Sequence, residues 1–160
     1  MGAFLPGLQK PGSPALRNEI GFKMKEQHIK VIICDPEKAA YTKEIKNNGD
    51  TIREILGGLM ESHHPFWPKK TRETADMFVL CNEEGKFLDL PRCRALIDDE
   101  GSVYDIVHGT FIICAVDRDS GDFCSLSPIQ ENIAMQLFGP AERYITDADT
   151  GMVLVVPYIY

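Results

Sequence analysis

Apolar residues along this chain recur with two periods, and the switches between them outline the elements. "IKVIIC" (29–34) is a β-rich apolar run ending at Asp35-Pro36, and "AYTKEI" (40–45) alternates after it, which predicts an antiparallel hairpin. "NNGD" then punctuates. In "TIREIL" (51–56), Thr51 and Glu54 stand at capping-box spacing, Ile52, Ile55 and Leu56 share a face, and Gly57-Gly58 offers a left-handed stop, so a short helix is expected. "LMESHHPFWP" reads as a returning extended segment and "KKTRETA" as a polar connector. Next come a strand over "DMFVLC" (76–81), a turn at "NEEG" and a second strand at "KFLDL". Pro91 interrupts, "CRALID" continues, "DDEG" turns, and "SVYDIV" leads to His108-Gly109. "TFIICAV" (110–116), the most apolar run, is expected to be the central strand.

Beyond the turn "DRDSGD" and the short "FCSL", Ser127 reads as an N-cap, Pro128 as the first helical residue and Gln130 as the far side of a capping box. Ile129, Ile133 and Leu137 repeat every fourth residue as that helix's expected buried stripe, and Gly139-Pro140 ends it. "ERYIT", "DADTG" and "MVLVVPYIY" close the chain as a hairpin over 140–160. The expected class is α+β: a mostly antiparallel sheet of six to eight short strands with two helices packed on one face.

At 160 residues the chain is read as one domain, 24–160, large enough to hide about 70% of its unfolded surface. The stretch before it, 1–23, is rich in Pro, Gly and Ser without a continuous apolar core, so it reads as a flexible leader or upstream extension, with Met24 as the natural start. No apolar run approaches the ~18 residues of a membrane span. Five cysteines (Cys34, Cys81, Cys93, Cys114, Cys124), odd in number and without a C-x-x-C, read as reduced core thiols of a cytoplasmic protein. Net charge is −7, and residues 76–122 carry all of it, with 4 basic against 11 acidic groups. That balance disfavours nucleic acid or an anionic membrane as a partner and favours a protein with a basic surface.

Candidate chemistry is sparse. "DRDSGD" and "DADTG" resemble the opening of a calcium loop, but such a loop needs its glycine at position six and a bidentate acid at position twelve, a place Pro128 takes in the first segment, so both read as Asp/Gly turns. His63-His64 lack a third ligand at metal-site spacing, and adjacent residues of an extended chain face opposite ways. The distant cysteines could complete a site only in space, so neither metal nor cofactor is expected. The only defensible catalytic pair is Cys93 with His108, since the flanking Arg92 and Arg94 could lower a thiol pKa. No G-x-S-x-G, H-E-x-x-H, P-loop or dinucleotide glycine pattern is present. For ligand binding the candidates are Arg94 as a phosphate or carboxylate grip, Asp105 beside it, and the Gly109 main chain with the Thr110 hydroxyl at the mouth of the central strand.

From Cys81 to Gly139 the pattern "CNEEGKFLDLPRCRALIDDEGSVYDIVHGTFIICAV…DFCSLSPIQENIAMQLFG", preceded by "IREILGGLME", resembles a small domain family of unknown function, the thirty-eight forty-six family, carried by phages, plasmids and conjugative elements of Firmicutes. The resemblance covers most of 29–139. It implies no reaction or cofactor. The family tends to have Asn at the place of Cys93 and Ala at that of His108, which turns attention from the thiol and imidazole to Arg94, Gly109 and Thr110. The expectation is therefore a non-catalytic accessory protein of a mobile element, in the bacterial cytoplasm, that binds and modulates a host protein with a basic surface, an anti-defence role being one form of this. The alternatives are a small-molecule or nucleotide-signal binder and, third, a Cys-dependent enzyme. A homodimer through the apolar C-terminal strand is a further partner reading.

Overall fold

The computed structural model describes residues 27–67 and 70–157. The expected leader and Met24 lie outside the described residues. Among the described residues ten strands and three helices follow in chain order: β1 (His28–Cys34), β2 (Tyr41–Lys46), α1 (Gly49–Leu56), β3 (Met60–His63), α2 (Arg72–Ala75), β4 (Met77–Asn82), β5 (Arg92–Ile97), β6 (Val103–His108), β7 (Phe111–Val116), β8 (Phe123–Cys124), α3 (Pro128–Phe138), β9 (Glu142–Thr146) and β10 (Val153–Pro157). The class is α+β, and every strand pairing recorded is antiparallel.

Six strands form one sheet in the order β2-β1-β7-β4-β3, with β8 also on β7; β5-β6 and β9-β10 are separate hairpins. β7 is central, as its composition predicts: Ile113 sits between Ile32 of β1 and Val79 of β4, and Ile112 between Ile33 and Leu80. Residues Phe111 to Ala115 are all buried, because both faces of the strand are covered.

The two faces carry two cores. Ile29, Val31, Ile33, Leu80, Ile112 and Cys114 pack with Ile52 and Leu56 of α1. On the other side Ile32, Val79, Phe111 and Ile113 pack with Ala134 and Phe138 of α3 and with Cys93, Leu96 and Val107 of the β5-β6 hairpin. The helices therefore lie on opposite faces, which corrects the expectation that both share one. Alternation along β1 and β7 is apolar on both sides, and a sheet with two apolar faces needs a cover on each.

Local corrections have local causes. α1 is capped by Asn48, whose side chain accepts from the Thr51 N–H, and not by a Thr51–Glu54 box; its end at Gly57, with φ 76°, is as expected. "KFLDL" is no strand: Leu88 N–H bonds the Glu84 carbonyl and Leu90 N–H that of Gly85, so the segment spends its main-chain donors on successive turns. α3 has the Ser127–Gln130 capping box and the Pro128 start. Its buried side is Gln130, Ala134 and Phe138, with Ile133 and Leu137 half-buried, whereas Ile129 is 58% exposed. The expected stripe is thus rotated by one residue, because Phe138 and not Ile129 finds the aromatic partners described below.

The acidic turns share one construction. Asp117 Oδ1 accepts from the Asp119 and Ser120 amides, and Asp147 Oδ1 accepts from those of Asp149 and Thr150. The same amides hold the Asp147 carboxyl below the usual carboxylate range. Each leading carboxylate folds its own turn, the role the turn reading assigned to it.

Candidate functional site

The triplet Arg92-Cys93-Arg94 does not alternate as a regular strand. On β5, Arg92 pairs with His108 and Arg94 with Val107, so the partner advances one residue while β5 advances two, and Cys93 is the extra residue of a bulge. The bulge rotates the chain, and Cys93 and Arg94 both end fully buried. Arg94 then spends its guanidinium on main-chain carbonyls. Nε donates to Phe138 O at 2.8 Å, Nη1 to Cys93 O at 2.8 Å and Asp35 O at 3.4 Å, and Nη2 to Lys38 O at 2.7 Å. Phe138 O lies at the C-terminal end of α3, where the helix dipole is negative and a cation is favoured. Arg94 is therefore a clamp joining the 35–38 turn, β5 and the end of α3. Four of its five N–H donors are spent on these carbonyls and the side chain is fully buried, so the structure places it inside the fold and not at an exposed phosphate site.

The other expected ligand residues are likewise held by the chain's own groups. Thr110 donates its hydroxyl to Asp35 Oδ1 at 2.7 Å, and Tyr41 donates to Asp35 Oδ2 at 3.2 Å. Asp35, at the end of β1, is the organising residue that the sequence reading passed over as a turn signal. Gly109 has φ 84° and donates to Pro91 O at 2.7 Å; a Cβ there would stand 2.8 Å from Leu90 Cδ1, so its glycine serves backbone shape and packing. Asp105 lies apart from these, on β6, ion-paired to Lys86 and accepting from the Ile106 amide. Burial works to raise its pKa, but Lys86 and that amide prevail and hold the carboxyl below its ordinary value.

Cys93 and His108 are not joined. The thiol donates to Cys34 O at 3.3 Å, and the imidazole Nδ1 bonds Leu90 O at 2.8 Å. Burial pushes the Cys93 thiol up to about 12, outweighing the pull of Arg94 in the other direction, so the thiolate that catalysis needs is scarce at neutral pH. Cys114 is likewise pushed up to about 12 by burial, and Cys34 is raised as well. In native protein at pH 8, a thiol reagent such as iodoacetamide is expected to modify half-buried Cys124 first, with Cys34, Cys93 and Cys114 protected until unfolding. Mass mapping that finds Cys93 labelled as fast as Cys124 would contradict this placement.

The feature that does face outward is an open cleft of about 520 Å³. Phe66, Trp67 and Lys70 line it together with Ile97, Asp98 and Asp99 at the β5-β6 turn. Trp67 is only 3% exposed and is held edge-on to Phe138 at 5.7 Å between ring centroids, while Phe138 is held edge-on to Phe111 at 5.7 Å. Its indole Nε1, a donor only, is buried and has no partner among the described residues. Phe66 packs edge-on to Tyr104 at 5.3 Å, and Phe66, Tyr104, Val103 and Ile97 all remain substantially exposed. The chain's own Lys70 shows what this wall attracts: Nζ stands 5.8 Å from the Phe66 ring centroid and 3.8 Å from an Asp99 carboxylate oxygen. Trp67 sits in an unpatterned Pro-rich stretch, and only its being the sole tryptophan could have marked it in the sequence.

Among the described residues no helix is long and apolar enough to cross a membrane. No curated protein and no solved structure matches the chain significantly. One family model does match, over residues 29–139, from β1 through α3, and its description is a domain of unknown function (DUF3846). The match takes in the Asp35–Arg94–Phe138 clamp and both walls of the cleft and leaves out the β9-β10 hairpin, and on its extent the chain belongs to that family.

Proposed function

We propose that the chain is a non-catalytic accessory protein of a phage or other mobile element, which binds a host protein and modulates it by taking a basic, partly apolar segment of that partner into the cleft between Phe66-Trp67 and the β5-β6 turn. The single observation that carries this reading is the buried Trp67 Nε1, without a partner among the described residues, in an aromatic cleft that Asp98 and Asp99 also line. A buried donor without an acceptor costs about 1–3 kcal/mol, which a peptide carbonyl arriving in the cleft recovers. Asp98 and Asp99 attract a lysine or arginine side chain to the rim, the exposed Phe66 and Tyr104 give it aromatic faces to rest on, and the acidic surplus of residues 76–122 steers such a partner in.

Because Trp67 is the only tryptophan, its emission reads the cleft directly. A short Lys/Arg–Leu peptide should shift or quench that emission, and an acidic peptide of the same length should not. Replacing both Asp98 and Asp99 by Asn should weaken the response about 3- to 10-fold at low salt, the size expected for two exposed charges. A response equal in the wild type and the double variant, or none to any basic peptide, would sink the proposal.

The cleft volume also falls within the ~300–1,000 Å³ of small-molecule sites, which favours a flat small ligand as the second reading. Mass spectrometry of the supernatant after heat denaturation separates the two readings, since only the second leaves a released compound whose removal changes the Trp67 emission.

A further inference from the structure

We propose a site for a late first-row divalent metal, zinc by preference, on the outer strands of the main sheet at Glu61, His63 and Cys81. β3 pairs with β4 so that Glu61 lies opposite Cys81 and His63 opposite Val79. Residues two apart on a strand face the same way, so the carboxylate, the imidazole and the thiol emerge on one face of the ladder. Their ligand atoms all lie within 4.8 Å of one another, with Glu61 Oε1 and His63 Nε2 3.6 Å apart. Tetrahedral zinc, at ~2.0–2.3 Å from each donor, sets donors ~3.3–3.8 Å apart, so one pair is already in place and the thiol is reached by a small movement of the two β3 side chains. Those two side chains are free to make it, being substantially exposed on a four-residue strand at the edge of the sheet.

The donor set points to the metal. One sulfur, one imidazole nitrogen and one carboxylate oxygen suit zinc, cobalt or nickel and not magnesium or calcium, which select oxygen alone. Among the described residues the group of ligand atoms within 4.8 Å of one another stops at these three, so water takes the fourth position of the tetrahedron. On binding, the Sγ–H bond of Cys81 breaks, its proton passes to water, and an Sγ–metal bond forms, with no change in oxidation state. His63 and His64 diverge as extended residues must, His64 Nε2 bonding Thr74 O at 3.0 Å, and His63 finds its co-ligands across the ladder and not along the chain. The bound ion ties the edge strand β3 to β4.

Cobalt(II) titrated into the full chain tests the site. One equivalent should produce tetrahedral visible absorption together with a near-ultraviolet thiolate-to-cobalt band, and one equivalent of zinc should displace it. Cys81→Ser should abolish the charge-transfer band, and Cys124→Ser should leave it intact. His63→Ala and Glu61→Gln, at exposed edge positions where folding is not at stake, should each weaken binding about 10-fold or more, at least the loss seen when a ligand's support is removed. Circular dichroism confirms that each variant is folded. No cobalt or zinc bound at one equivalent, a charge-transfer band that survives Cys81→Ser, or an affinity unchanged in His63→Ala would overturn the proposal.

Discussion

Arg94→Met is expected to lower the unfolding free energy by about 3–5 kcal/mol, a fall of ~10 °C in Tm for a domain of this size. Methionine fills much of the stem's volume and removes a buried charge, and where an arginine is paired to a carboxylate such a swap, made at both ends, is often neutral. Here the partners are the main-chain carbonyls of Phe138, Cys93, Lys38 and Asp35, which no substitution removes. Each buried carbonyl left without a donor costs about 1–3 kcal/mol, and the sum outweighs the relief from desolvation. Arg94→Lys should recover little, because one ammonium cannot span acceptors held by three separate segments. Urea unfolding followed by Trp67 emission measures both, and a loss under ~1 kcal/mol for Arg94→Met would show that the clamp carries no weight.

Phe138→Ala is expected to cost a similar ~3–5 kcal/mol and, in addition, to disable the cleft. Phe138 is 2% exposed and lies edge-on to both Phe111 of the central strand and Trp67 of the cleft wall, so the truncation opens a cavity and removes two aromatic pairs, each worth about 0.5–1.5 kcal/mol beyond its area. With its backing gone, Trp67 should emit at longer wavelength, and the folded variant should respond to a basic peptide at least about 10-fold more weakly, a loss of ~1.4 kcal/mol. Ile129→Ala, on the same helix but exposed, is the control, with an expected change within ~0.5 kcal/mol. A wild-type Trp67 spectrum and peptide affinity in Phe138→Ala would separate the cleft from the core, against the packing described.

The two substitutions touch features of unequal visibility. Phe138 stands in a helix whose start, cap and end were legible in "SPIQ" and "FGP", yet the side it buries was read one residue off. Periodicity gives the width of an apolar stripe, and the partner decides its centre. Arg94 stands out in the sequence between two acidic turns, which suggests an outside ligand, and its bonds go to the chain's own carbonyls. Its neighbours Asp35 and Phe138 stand 59 and 44 residues away, and no local pattern announces them. The Thr110 hydroxyl was read as a donor waiting at a strand mouth, and it is already held by Asp35, 75 residues earlier. Glu61, His63 and Cys81 carry no spacing that reads as a metal motif, because a strand ladder juxtaposes residues by register.

The local pattern was enough for the α+β class and, though not for α2 or the turns over "KFLDL", for part of the elements: the β1-β2 hairpin, the doubly apolar β7, the capped α3, the Asp-built turns and the closing β9-β10 hairpin. Those follow from capping, turn chemistry and side-chain period, all of which act within a few residues. Tertiary structure alone decided that α1 and α3 cover opposite faces, that a bulge at Cys93 turns Arg94 inward, and that Trp67 lines an acid-rimmed cleft. These depend on which strand meets which and in what register, and that choice is made by the packing of the whole core.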